Sequence, residues 1–260
     1  MTMAQNPKRS EQYCPPNQTS TDLAAAMDLS VAAAAEQALR AMTSLGTGNA
    51  AVANVVASGC LMIPPLRAIL FRRNPAGLFE VRCRAVDALA RLGAHFVLLD
   101  YLETWPRAAD PVERLGDDAV LSTAAIALAK AGTEAGFDLL LAVAESGTLL
   151  RGVVWGLGHY RKRRAIPALL SALLEDECRL VAEDALTKLG ALARPALLQA
   201  AAGSSRGNES VSRQRRSALR ILARTPTSSV RRQIEPLKQD NDPAVAALAR
   251  TISSQFCRNQ

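Results

Sequence analysis

Residues 166–190 read IPALLSALLEDECRLVAEDALTKLG, and the fold is decided in this stretch. Two short apolar runs flank the acidic link Glu175-Asp176-Glu177. In the second run apolar side chains stand at 178, 182, 185, 186 and 189. That i, i+4, i+7, i+8, i+11 spacing predicts a helix with one buried face. Gly190 follows it, where a left-handed residue closes a helix most cheaply. Pro167 stands at the front of the first run, where a first-turn proline loses no hydrogen bond. The stretch therefore predicts two short antiparallel helices.

The same pattern recurs in both directions. EVRCRAVDALARLG (80–93), AVLSTAAIALAKAG (119–132), ESGTLLRGVVWGLG (145–158) and SVSRQRRSALRILA (210–223) match the second run. With 177–190 included and the last residues aligned, the intervals are 39, 26, 32 and 33. Each is preceded by a further apolar run, at 63–71, 95–105, 137–145, 165–174 and 194–202, and Pro64 and Pro195 again lead theirs. A last pair covers SVRRQIEPLK and DPAVAALARTISSQF. Residues 21–60 form an alanine-rich capping pair, with helices at 22–45 and 49–60 broken at Gly46-Thr47-Gly48. Residues 1–20, polar and carrying Pro15 and Pro16, are expected to be disordered. One such pair cannot bury its own face, so stacking follows. The expected fold class is all-α, a solenoid of stacked antiparallel helix pairs over residues 61–260.

Over roughly 61–256 the chain resembles the HEAT-like repeats first associated with phycobilisome lyases, most closely at 166–190 and 80–93. It departs from them at 133–158, where Gly152, Gly156 and Gly158 crowd one helix, and at 106–118, a long link. The resemblance implies a right-handed curl of about six or seven pairs, with second helices lining the concave side. It also implies that Arg82 and Arg179, at one repeat position, join a polar ladder between repeats.

Composition agrees with thin, repeated cores: 49% of residues are apolar but only 4% aromatic. The net charge of +7 is matched by residues 201–260 alone, which carry 11 basic and 4 acidic side chains. Cys14, Cys60, Cys83, Cys178 and Cys257 have no framework spacing, which suggests a reducing compartment. The polar N-terminus and the absence of a long uncharged apolar run lead to a soluble, cytoplasmic expectation with no membrane partner.

Catalytic chemistry finds little support. His95 and His159 have no second histidine or cysteine at ligand spacing, so no metal is expected. No phosphate-loop, dinucleotide or nucleophile-elbow motif occurs, so no cofactor is expected. HEAT-like deoxyhypusine hydroxylases use paired His-Glu steps, but here Phe96 and Tyr160 follow the histidines. HEAT-like alkylpurine DNA glycosylases cradle a base with tryptophans and a nearby carboxylate. Neither Trp105 nor Trp155 is followed by a carboxylate three or four residues on. Trp155 reads as core and Trp105 as exposed. Asp117-Asp118 and Glu175 to Glu177 read as helix N-terminal acids that complement the dipole.

Two basic clusters remain as candidate anion- or partner-binding residues. Arg161, Lys162, Arg163 and Arg164 are consecutive. Arg213, Arg216, Arg220 and Arg224 fall on one helix face, with no acid interleaved, if Val211, Ala218, Leu219 and Leu222 face inward. The expected function is a non-catalytic scaffold for a protein partner, and nucleic-acid binding through the basic C-terminal helices is the alternative.

Overall fold

The structure, a computed structural model, describes residues 33–34, 36–44, 46–73, 79–104, 107–204, 208–224 and 227–258, and beyond 254 the backbone alone. The expectations for residues 1–20, for the first part of the 22–45 helix and for Trp105 lie outside the described residues. All regular structure among the described residues is helical, with no strand. After helical residues within 36–43 the odd-numbered helices are α1 (Gly48–Ala57), α3 (Glu80–Arg91), α5 (Pro111–Ala131), α7 (Arg151–Tyr160), α9 (Arg179–Leu189), α11 (Glu209–Ala223) and α13 (Pro243–Arg258). Between them lie α2 (Ile63–Leu70), α4 (His95–Thr104), α6 (Glu134–Glu145), α8 (Ile166–Ala172), α10 (Arg194–Ala202) and α12 (Ser228–Ile234). None of these is long and apolar enough to cross a membrane.

Packing follows chain order. Each odd-numbered helix lies against the next odd-numbered one from α1 to α13, and α4, α6, α8, α10 and α12 likewise adjoin in succession. One apolar cluster runs through all of them from Met42 to Ile252, and its large members are mostly leucines at helical spacing. Truncating any one of these to alanine removes about 2–5 kcal/mol.

Local sequence sets the helix ends. Pro64, Pro167 and Pro195 occupy the first turns of α2, α8 and α10. Asn208 Oδ1 accepts from the amides of Ser210 and Val211 at 2.9 and 3.2 Å and so opens α11. Asp110 does the same for Val112 and Glu113, with Pro111 as the first residue of α5. This cap starts α5 earlier than the repeat spacing suggests, so most of the expected long link at 106–118 is helix. Asp117 and Asp118 consequently stand inside α5 and not at its N-terminus.

Helix α7 also departs from the repeat spacing. The repeat alignment places a helix over 145–158 ending at Gly158, but α7 runs on to Tyr160. Its glycines serve close packing instead. A Cβ on Gly152 would lie 2.2 Å from the Ser122 carbonyl oxygen of α5, and one on Gly158 would lie 2.4 Å from Ala185 Cβ of α9. The residue that closes α7 in the left-handed region is Arg161, at φ 53°. Gly93, Gly132 and Gly190 hold the corresponding positive φ after α3, α5 and α9. The left-handed positions therefore recur at intervals of 39, 29 and 29 residues.

Candidate binding face

Buried arginines tie successive helices together. Arg82, 4% exposed, donates from Nε to the Leu70 carbonyl at 3.0 Å, from Nη1 to Asp117 at 2.8 Å and from Nη2 to the Tyr101 hydroxyl at 2.6 Å. It thereby joins the end of α2, the middle of α4 and the interior of α5. Asp117 is fully buried and also accepts from Arg73 and from the Ala108 amide. Hydrogen bonding to Asp117 raises the Arg73 pKa, and burial pushes the Tyr101 phenol well above its ordinary value.

Arg215 repeats this arrangement near the other end of the chain. Its Nε donates to the Ala201 carbonyl of α10 at 3.0 Å, and its guanidinium pairs with Asp240 ahead of α13. The hydrogen bond from Arg215 holds the Asp240 carboxyl below the usual range, and that from Ser212 does the same for Asp242. Arg179 shares the first contact, to Leu173, but its carboxylate partner is Asp176 in its own link. Asp176 in turn takes Arg213 of α11 at 2.7 Å, and its carboxyl is lowered chiefly by the Arg179 hydrogen bond. Glu175 to Glu177 therefore supply an ion-pair partner, and no side chain among them caps an α9 amide.

Arg215 escaped the sequence pattern because the repeat was aligned on its terminal small residue. Aligned on the arginine whose Nε meets the preceding helix, α11 shifts by three residues. Arg220 and Arg224 then stand where Asp87 and Arg91 stand in α3 and Asp184 and Lys188 stand in α9.

The arginine row on α11 is real, but it is not free of acids. Ala218, Leu219 and Leu222 are buried and Val211 is half-buried, so the rotation of the helix is as expected. Arg213 and Arg216 are half-buried, and Glu209, at the start of α11, pairs with both, at 3.6 and 2.6 Å. Arg220 lies 3.8 Å from Glu183 of α9, and Arg224 donates to the Thr187 hydroxyl at 3.3 Å. None of the four arginines therefore stands without a polar partner, and only Arg220 and Arg224 are exposed.

Arg161 to Arg164 do not form one patch. Lys162 pairs with Glu134 and Arg164 with Asp138, both on α6, and both cations lie over the Phe137 ring. The Arg163 side chain is exposed and makes no ion pair or hydrogen bond with another described residue. Arg161 turns to the other side, into a cleft of about 220 Å³ between α7 and α9. Its backbone conformation costs a non-glycine residue roughly 1 kcal/mol.

This cleft is lined by Trp155, His159, Arg161, Asp184 and Lys188 over a floor of Gly158 and Ala185. Trp155 is half-buried, and its ring stacks on His159 with centroids 5.1 Å apart and planes 19° from parallel. It is therefore less buried than the expected core residue. A cleft of about 490 Å³ lies between α3 and α5, lined by Asp87, Arg91, Ile126 and Lys130 among others. Six residues before each left-handed position stand Asp87, Ile126, Trp155 and Asp184; two before it stand Arg91, Lys130, His159 and Lys188. The odd-numbered helices thus present the same two positions on one face. Among the described residues no three of His, Cys, Asp and Glu converge as metal ligands. No family model and no curated protein matches the chain.

Proposed function

We propose that the chain is an α-solenoid of HEAT-like helix pairs and a non-catalytic scaffold that binds a protein partner over the exposed face of α3, α5, α7, α9 and α11. The packing order supports the solenoid reading: each odd-numbered helix meets the next odd-numbered one, and the even-numbered helices from α4 onward do the same. The observation that carries the binding reading is the repetition on that face. Asp87 with Arg91, Ile126 with Lys130, Trp155 with His159, Asp184 with Lys188 and Arg220 with Arg224 recur side by side. Stacked repeats offer an extended surface of this kind without a single deep pocket. Asp87 and Asp184 stand among its cations, a mixture of signs that suits the surface of a protein. A cytoplasmic location belongs to the same reading.

Nucleic-acid binding is the second reading, favoured by Arg220, Arg224 and the +7 charge. Capture of partners from native lysate, with and without nuclease and over a range of salt, separates the two. A stoichiometric protein that survives nuclease and high salt supports the scaffold. A nuclease-sensitive complex whose affinity falls steeply with salt, and falls less steeply in the R220Q/R224Q variant, supports nucleic acid. Retention of neither ends both readings.

A further inference from the structure

The cleft between α7 and α9 differs from the rest of the face in three respects. It holds the face's tryptophan among the described residues, stacked on His159. The helix-closing residue beside it is an arginine in the left-handed region, where α3, α5 and α9 are closed by glycine. Arg161 has no ion pair or hydrogen bond to any described residue, whereas Lys188 on the opposite wall is paired with Asp184 at 2.6 Å. Helix dipoles account for Arg91, Lys130, His159 and Lys188, which all lie in last turns. At Arg161, the C-cap of α7, the same dipole at most offsets the conformational cost that glycine would avoid.

Resting on the protein-binding reading, we propose that this cleft is the anchor point of the face and takes an acidic side chain of the partner beside an apolar one. Arg161 receives the carboxylate in a bidentate pair. The partner's neighbouring apolar side chain lies against Trp155 above the Gly158 and Ala185 floor, a tryptophan–arginine combination that commonly dominates binding energy. One cation of the cleft is uncompensated, so one carboxylate neutralises it. A nucleic-acid strand, with a charge on every nucleotide, would in addition meet the exposed carboxylates of Asp184 and Asp87 on the same face. The chemistry therefore fits a protein segment.

The test is selection of short random peptides against the full chain, followed by affinity measurement on the variants R161G, W155L and R67Q, with oligodeoxythymidine as a separate probe. The selected peptides should be enriched in Asp or Glu next to an apolar residue. R161G should bind them about 30-fold more weakly while melting at the parent temperature or above it, because glycine relieves the left-handed strain. W155L should lose a similar factor, and R67Q, exposed on α2 outside the face, should stay close to the parent. Peptides that bind R161G and W155L as they bind the parent overturn the anchor and leave the scaffold standing. Enrichment of no peptide at all removes both. Arg161-dependent binding of oligodeoxythymidine without peptide binding overturns the anchor in favour of nucleic acid.

Discussion

Asp117 is the residue on which the N-terminal half turns. Its carboxylate is fully buried between Arg82 and Arg73 and also takes a backbone amide. Its neighbour Asp118 pairs with Arg107 at 2.7 Å near the surface. The two aspartates are adjacent in sequence and alike in charge, yet their consequences differ by burial. Asp117→Ala leaves the buried Arg82 guanidinium short of its carboxylate, and denaturant unfolding should show a loss of about 3–5 kcal/mol. Asp118→Ala should cost under about 1 kcal/mol, since exposed pairs are screened by solvent. Equal losses at the two positions would contradict the burial assigned here. Nothing in the sequence distinguishes them, because the side of α5 that meets Arg82 is fixed only when α3 docks.

At the scale of elements, α10, α11 and α13 are joined through a pair of depressed carboxyls. Asp240 and Asp242 have folded-state values below the ordinary aspartate range, so the folded chain binds fewer protons than the unfolded one. Their contribution is complete above the unfolded value of about 4 and disappears as the pH falls through the folded values. Asp240→Asn should therefore destabilise the protein by roughly 2 kcal/mol at neutral pH, through the lost charged hydrogen bond to Arg215. The gap between parent and variant, followed by urea unfolding, should narrow steadily below about pH 4. A gap that persists unchanged at low pH would mean that the carboxylate charge is not what binds Arg215.

For the whole molecule, the packing order makes a statement about how damage spreads. Arg84 is buried and donates to Asn49 at 2.8 Å and to the Met42 and Ser44 carbonyls at 2.9 Å each, so it fastens α1 and the residues before it onto α3. In an array where each helix meets only near neighbours, stability is close to a sum of local terms. Arg84→Ala should raise amide hydrogen exchange in α1 strongly while leaving α9 and α11 at parent rates. A uniform rise across the chain would show one cooperative body instead of a linear array.

The sequence by itself determined the helices. Apolar spacing and first-turn prolines act within a few residues of where they stand, so α2, α8 and α10 fall almost where the pattern places them. The rotation of α11, with its arginine row outward, was legible for the same reason. The tertiary structure decided what each of those arginines meets. Glu183 and Thr187, the α9 partners of Arg220 and Arg224, lie 37 residues earlier in each case, and Asp117 lies 35 residues after Arg82. No local rule spans such distances. The left-handed turn at Arg161 was hidden too, because Gly158 offered a cheaper place to stop. Only the close approach of Ala185 requires that glycine inside the helix, and α7 then runs on until an arginine must close it.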